Sequence, residues 1–330
     1  MFLKPRNFVF FSIIIIRTII VVSSGRWVNA WLALEVNLMS IIPILINNQS
    51  YRSTSSSIKY FITQAIASMF LIFIIIIYYN INIINSLNIN NEIIIISLAI
   101  KSGIPPFHFW LPQVVENTEI IQTFFILSWQ KIAPFIILTY CLSNILFSII
   151  FISAMVGAVG GINQNSIKKI LAYSSITHGA WMIFSIIIKQ NLWVIYFFIY
   201  NIRLLVICLL IEKFNLKKIS EINNRKIVRN VKIIFIINIL SIAGLPPFLG
   251  FFGKIIVIIS IIYSLKILFS LRIILRASLI SLIYYIKICY SSYLINEKKI
   301  FFKKRHINKS TGLLILMVIN LIGPIMVYLT

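Results

Sequence analysis

Four ionisable side chains stand inside long apolar stretches of the sequence: Glu35, Lys101, Lys131 and Lys254. At the centre of a membrane helix such a group costs about 2.5–3.5 kcal/mol on insertion scales. A lysine in a low-dielectric environment gives up its proton more readily, and a nearby carboxylate opposes that loss. A lysine therefore binds its proton when a carboxylate moves close and releases it when the carboxylate moves away. These residue types predict a proton relay, with static ion pairs between helices as the alternative.

Two of these lysines lie beside a motif that occurs twice. Residues 103–107 read Gly-Ile-Pro-Pro-Phe, and residues 244–248 read Gly-Leu-Pro-Pro-Phe. A Gly-x-Pro-Pro segment removes two N–H donors and disfavours the helical state before each proline. In hydrocarbon the freed carbonyls need partners, so such breaks persist only inside protein or beside water. The motifs predict two discontinuous helices, and paired interruptions of this kind are typical of inverted-repeat transporters. Independent proline kinks are the alternative. The residues expected to form the breaks are Gly103, Pro105, Pro106, Gly244, Pro246 and Pro247.

Other polar side chains in the apolar stretches are weaker candidates. His178 and His108 could line a water path, and a hydrogen-bonded core histidine is the alternative in both cases. Arg17 and Arg203 lie within apolar runs, but arginine keeps its proton and is a poor relay member. We assign these arginines no role.

The three cysteines, Cys141, Cys208 and Cys289, lie in apolar stretches without a Cys-x-x-Cys motif. As spaced, they cannot hold an iron–sulfur cluster or a structural zinc. The sequence therefore predicts no metal site and no cofactor in this chain.

The composition excludes a water-soluble globular domain. Of 330 residues, 60% are hydrophobic and only 11% are charged, whereas soluble domains carry about a quarter charged residues. The net charge of +23 could indicate nucleic-acid binding. The basic residues lie on short connections between apolar runs, however, so they indicate membrane topology and no nucleic-acid partner.

Hydropathy and polar breaks predict an all-α polytopic membrane protein with about eleven spanning helices. The expected spans are 8–24, 27–47, 58–79, 92–112, 120–140, 145–162, 167–188, 191–212, 233–262, 271–294 and 312–329. The Ser-rich stretch 50–57 and the Asn-rich stretch 80–91 are expected to be loops, because their polar groups could not be hidden in hydrocarbon.

The order of the spans predicts an internal repeat. The two broken spans are the fourth and the ninth, and an odd offset of five inverts the second half relative to the first. We therefore expect a single membrane domain, 1–330, with one five-helix repeat at 8–140, an inverted one at 145–294 and a last helix at 312–329.

The basic residues also predict an orientation. Nineteen of the 30 fall on the face that holds the N-terminus and five on the opposite face. This positive-inside bias places the N-terminus and the basic loops inside and the C-terminus outside. The basic stretch 263–276 is the weak point of this scheme, because it falls on the less basic face.

Several strings resemble one known family, the antiporter-like NADH–ubiquinone oxidoreductase chain 2 of mitochondrial respiratory complex I. The resemblance runs in order from about residue 25 to 293. It is carried by Trp31-Leu-Ala-Leu-Glu-Val-Asn37 with Pro43, Lys101-Ser-Gly-Ile-Pro-Pro-Phe-His-Phe-Trp-Leu-Pro112, Trp129-Gln-Lys-Ile-Ala-Pro134, Gly157-Ala-Val-Gly-Gly-Ile-Asn-Gln164, Lys169-Ile-Leu-Ala-Tyr-Ser-Ser-Ile-Thr-His178 and Gly244-Leu-Pro-Pro-Phe-Leu-Gly-Phe-Phe-Gly-Lys254.

The resemblance implies a proton-pumping subunit in the membrane arm of a translocase. Glu35 and Lys101 would form the coupling pair, Lys131 would be the central proton carrier, and Lys254 would lead to the opposite half-channel. NAD, FMN, iron–sulfur clusters and ubiquinone would belong to partner subunits. The location would be the mitochondrial inner membrane, with the basic face in the matrix and the C-terminus in the intermembrane space.

Two other functions remain open on the sequence. A free-standing or multi-subunit cation/proton antiporter would share the broken helices and the lysines. A structural membrane subunit would use the charges only to orient helices.

Overall fold

The computed structural model describes residues 5–46, 50–80, 87–224, 229–261 and 265–293, and nearly all of them are helical. The helices are α1 (Pro5–Ser23), α2 (Trp27–Leu45), α3 (Tyr51–Asn80), α4 (Leu87–Ser102), α5 (Trp110–Asn117), α6 (Ile120–Leu127), α7 (Trp129–Tyr140), α8 (Ile145–Ile162), α9 (Ile167–Ile188), α10 (Leu192–Phe214), α11 (Glu221–Asn224), α12 (Arg229–Ala243), α13 (Leu249–Ile259) and α14 (Leu265–Tyr293).

Seven helical segments of the described chain are long and apolar enough to cross a membrane. Shorter apolar helices, among them Lys232–Ala243 and Leu249–Ile259, accompany them. Helices satisfy their own backbone hydrogen bonds, which is what hydrocarbon demands. The prediction of an all-α polytopic membrane protein is confirmed.

The chain forms two compact units, Met1–Val156 and Gly157–Thr330. In the first unit, α2 packs against α1 and α3, and α4 packs against α3 and α7. This arrangement brings the end of α4 next to α2, α3 and α7, the helices that carry the polar side chains described below.

In the second unit, α9 is the most enclosed helix: 89% of its most apolar stretch is buried. It packs against α10, α13 and α14, and α10 also packs against α12 and α13. Gly157 of α8 lets α9 approach closely, because an added Cβ would lie 2.6 Å from the Thr177 side chain. The core of this unit therefore surrounds the junction between α12 and α13.

The prediction of a loop at 50–57 is wrong, since α3 already begins at Tyr51. The serine hydroxyls of its first turns donate to carbonyls three residues earlier in the same helix: Ser53 to Ser50 O and Ser56 to Ser53 O, both at 2.8 Å. Short hydroxyl side chains can satisfy themselves in this way, so a serine-rich stretch need not leave the helix.

Other boundaries also differ from the prediction. Helix α4 begins at Leu87, within the expected Asn-rich loop, and residues 81–86 lie outside the described part of the chain. Helix α14 begins at Leu265, so the basic stretch that is the weak point of the orientation scheme is helical from there. The expected last span, 312–329, lies outside the described residues.

Candidate functional site

The first predicted break is present, between α4 and α5. Gly103 adopts a φ of +70°, a left-handed conformation that side-chain-bearing residues rarely take. A Cβ at this position would also lie 2.8 Å from Leu111 Cδ1. The Pro105–Pro106 peptide bond is cis, as is the equivalent Pro246–Pro247 bond in the second break.

Neutral donors satisfy the carbonyls that this first break frees. The Trp110 indole Nε1 donates to Ile100 O at 3.1 Å, and the Gln64 amide Nε2 donates to Lys101 O at 3.1 Å. The Ile104 backbone N–H donates to Ala99 O at 2.9 Å. The ammonium group of Lys101 is therefore not needed to close the end of its own helix.

The side chain of Lys101 is only 6% exposed and lies within electrostatic range of Glu35 on α2. No hydrogen bond or ion pair joins the two side chains among the described residues, and Glu35 is half-buried. The two side chains are therefore separated by a gap, and their role as a coupling pair stays a prediction. An interaction across a gap can be strengthened or weakened by a small movement of either helix.

A polar cavity of about 20 Å³ borders Lys101. About 10–15 Å³ is enough for one water molecule. The walls come from α2, α3, α4 and α7, and the lining residues are Leu34, Asn37, Leu38, Tyr60, Gln64, Lys101, Gln130 and Pro134. The cavity therefore extends from Lys101 to the residue immediately before Lys131.

A pair of amides crosses this cavity wall. Asn37 Nδ2 donates to Gln130 Oε1 at 3.1 Å. Asn37 Oδ1 and Gln130 Nε2 are buried and have no hydrogen-bond partner among the described residues. Buried polar atoms are normally satisfied by protein or ordered water, so this acceptor and this donor suit a bound water molecule.

Lys131 is 1% exposed in the first turns of α7. Helix α6 ends at Leu127 and α7 begins at Trp129, with a non-helical Ser128 between them. The backbone N–H of Lys131 donates to Ser128 O at 3.0 Å. Lys131, like Lys101 and Lys254, therefore lies next to a helix interruption, and this third interruption was not predicted from the sequence.

The second predicted break is present between α12 and α13. Gly244 has a φ of +77°, and a Cβ at this position would lie 2.7 Å from Lys254 Nζ. The Lys254 ammonium group donates to Ala243 O at 2.7 Å, and the Arg203 guanidinium Nη1 donates to Ser241 O at 2.8 Å. Cationic side chains thus satisfy the carbonyls at this break.

Polar and aromatic side chains surround the second break. His178 of α9 is 3% exposed, and its Nδ1 lies 2.7 Å from the Tyr196 hydroxyl of α10. Its ring also lies 4.8 Å from that of Tyr200. Lys254 Nζ lies 5.8 Å from the ring of Trp181, which is stacked on Tyr196. His178, Trp181, Tyr196 and Tyr200 form the polar cluster of the second break, and Lys254 adjoins it through the ring of Trp181.

His108 lies in the loop of the first break. Its Nδ1 is 3.3 Å from Pro106 O and its ring is 4.3 Å from that of Phe109. Both contacts are local to the loop. The structure does not bring His108 to the cavity of Lys101, and its role in a water path stays a prediction.

The predicted residues fall into two groups. In the first unit Lys101 lines the cavity, and Glu35 and Lys131 each follow a lining residue in the sequence. In the second unit His178 and Lys254 adjoin one polar cluster. Sequence reasoning assigned no role to Asn37, Gln64, Gln130 and Arg203. A usable signal existed for these residues, because each is a polar side chain within an apolar run.

Comparisons with known proteins agree on one family. The sequence model described as "NADH:quinone oxidoreductase/Mrp antiporter, TM" matches residues 24–281. The chain is 38% identical over 303 residues to NADH-ubiquinone oxidoreductase chain 2 of Anopheles gambiae, covering 90% of this chain and 88% of the mosquito protein.

Solved structures share the fold at low sequence identity. A chain of respiratory complex I from Thermus thermophilus superposes with a TM-score of 0.81 at 19% identity, covering 98% of this chain and 78% of the bacterial one. A chain of the Mrp complex from Dietzia sp. gives a TM-score of 0.75 at 16% identity, covering 86% and 60% of the two chains. The antiporter-like fold class predicted from the sequence is confirmed.

Proposed function

Because the chain belongs to the NADH:quinone oxidoreductase/Mrp antiporter family, and within it to NADH-ubiquinone oxidoreductase chain 2, we propose that it is a proton-translocating membrane-arm subunit of respiratory complex I. It couples NADH oxidation and ubiquinone reduction to proton pumping. The redox reactions occur in partner subunits, which hold NAD, FMN, the iron–sulfur clusters and ubiquinone. This chain supplies a path for protons and no redox centre.

The observation that carries this proposal is the group around Lys101. A buried lysine, a carboxylate within electrostatic range and a water-sized polar cavity occur together, and the cavity is also lined by Gln130, the residue before Lys131. When Glu35 moves towards Lys101, the ammonium form is stabilised. When Glu35 moves away, the proton leaves Lys101 through water in the cavity and reaches Lys131.

The second unit provides the onward step. Lys254 lies at the second break with His178, Tyr196 and Tyr200 in its polar cluster. Hydroxyl and imidazole groups both donate and accept hydrogen bonds. We assign Lys254 to the half-channel that opens on the opposite side of the membrane, and His178 to the water path that leads there.

The family supports the location, and the charge distribution supports the orientation. The chain is a multi-pass membrane protein of the mitochondrial inner membrane, with the face that carries nineteen basic residues in the matrix. The C-terminus then lies in the intermembrane space. Its partners are the other membrane-arm subunits and the lipid bilayer.

A cation/proton antiporter is the second candidate, because the matching family includes Mrp antiporters. The likeness to the Mrp chain is at 16% identity and concerns the fold alone, whereas the mosquito relative is 38% identical along most of both chains. The pump subunit is therefore favoured over the antiporter and over a purely structural subunit.

The proposal is tested by Lys131→Met in the assembled complex, with proton translocation and NADH oxidation measured together. The loss of the carrier should abolish or reduce pumping at least tenfold, because methionine binds no proton. Lys189→Met is the matched control, since Lys189 is exposed at the end of α9 and should pump normally. Unchanged pumping and turnover in Lys131→Met would contradict the relay.

A further inference from the structure

Arg203 is a second buried cation at the second break. It lies in the middle of α10 and is 1% exposed. No hydrogen bond or ion pair joins it to a carboxylate within the described residues. A permanent charge without a counter-ion inside a membrane bundle is costly, so its presence here calls for a physical role beyond packing.

The guanidinium group connects α10 to the end of α12. Nη1 donates to Ser241 O at 2.8 Å and Nε donates to Ile199 O of its own helix at 3.0 Å. Nη2 is buried without a hydrogen-bond partner among the described residues. Arg203 is therefore held in place by two carbonyls, and neither of them neutralises its charge.

Gly250 of α13 provides the space for this contact. A Cβ at Gly250 would collide with Ser241 O and with Arg203 Nη1. The end of α12, the start of α13 and the guanidinium group thus meet at one point. An alanine there would displace the guanidinium group or the helix end without removing any charge.

Lys254 occupies the same helix end. Its Nζ donates to Ala243 O, two residues beyond the carbonyl that Arg203 binds, and Arg203 acts on it electrostatically. The carbonyl end of a helix stabilises one cation by its partial negative charge. Two cations at one end repel each other, strongly so where the dielectric is low.

The remaining titratable side chains around these two cations include no carboxylate within the described residues. They come from every helix packed on the site: His178 from α9, Tyr196 and Tyr200 from α10, and Tyr285 from α14. The described part of α12 contributes Ser241 and no acid next to Gly244. Among the described residues, Arg203 is therefore the charged side chain that acts on Lys254.

We propose that Arg203 is a positioning residue that limits the time for which Lys254 holds a proton. Its fixed charge disfavours the state in which both side chains are cationic, so a proton that reaches Lys254 is passed on rather than retained. This inference rests on the proposed function and adds a residue to which neither the sequence nor the family comparison assigned a role.

The experiment separates the effect of the charge of Arg203 from the effect of its hydrogen bonds. It uses variants of the assembled complex. Arg203→Gln keeps a donor for Ser241 O without charge, Arg203→Met removes both, and Arg203→Lys keeps the charge. Gly250→Ala disturbs the contact and leaves Arg203 charged. Proton pumping and NADH oxidation are measured from pH 6 to pH 9, with Lys254→Met in parallel.

Both neutral variants should shift the pH profile of pumping upwards by roughly one to two pH units, because Lys254 then keeps its proton to higher pH. Arg203→Lys should retain the wild-type profile, and Gly250→Ala should lower assembly or thermal stability without the shift. If Arg203 had only a structural role, all variants would lose stability to a similar extent and every pH profile of pumping would stay unchanged.

The outcomes separate the two proposals. Normal pumping by Lys254→Met would contradict the role of Lys254 in the proposed function. Loss of pumping in Lys254→Met with an unshifted profile in Arg203→Gln would overturn only the inference about Arg203. Failure of both neutral variants to assemble, while Arg203→Lys assembles and pumps normally, would assign the charge to folding and would also overturn it.

Discussion

The two broken helices share a backbone motif but differ in the groups that complete it. At the first break the carbonyls of Ile100 and Lys101 accept from an indole and an amide. At the second break the carbonyls of Ser241 and Ala243 accept from a guanidinium and an ammonium group. The same Gly-x-Pro-Pro sequence therefore forms a neutral junction in one unit and a cationic junction in the other.

In the proposed relay, the proton-carrying lysine of the first unit is distinct from the groups that close its helix, whereas in the second unit one lysine does both. Lys101 borders a cavity and faces the charge of Glu35, while other residues close its helix. The ammonium group of Lys254 is itself the donor that closes α12. Deprotonation of Lys254 weakens a charge-assisted hydrogen bond, so proton transfer there is coupled to the geometry of the break.

The largest expected contrast is between Lys254→Met and Lys101→Met. Both should reduce pumping at least tenfold, since each removes a proton carrier. Only Lys254→Met should also destabilise the subunit, by about 1–3 kcal/mol, because it leaves Ala243 O without its donor. Thermal unfolding of the purified complex measures this loss of stability. Equal stability of the two variants would contradict the proposed difference between the two breaks.

A smaller effect on pumping is expected when the cavity at the first break loses a polar lining group. Gln130→Leu keeps the approximate side-chain volume and removes an amide that lines the cavity beside Lys101. Pumping should fall several-fold while assembly is retained, because the path loses a polar wall but no carrier. Gln113→Leu, at an exposed position of the mostly buried α5, is the matched control. Proton flux in reconstituted vesicles distinguishes the two variants. Equal flux in both would exclude the cavity from the proton path.

The sequence was sufficient to predict the positions of both breaks, because Gly-x-Pro-Pro acts locally through φ and missing N–H donors. It also shows which four ionisable residues lie inside apolar runs, and their role as a relay stays a prediction. The interruption at Ser128 was not predicted, because no proline or glycine marks it. Helical structure at Tyr51 was missed because serine hydroxyls can bond within a helix.

The groups that complete each break could not be predicted. Trp110 lies ten residues from the carbonyl it binds, and Arg203 lies 38 residues from Ser241. Which donor reaches a freed carbonyl is decided by helix packing. Arg203 was conspicuous in the sequence, but its partner and the space left by Gly250 exist only in the folded chain.

The most direct test of the relay is to count protons and electrons simultaneously in a Glu35→Gln variant of the assembled complex. Glutamine keeps the size of the side chain and removes the charge that acts on Lys101. The account predicts that proton translocation falls at least several-fold, together with the NADH oxidation coupled to it. An unchanged number of protons per electron at unchanged turnover would contradict it.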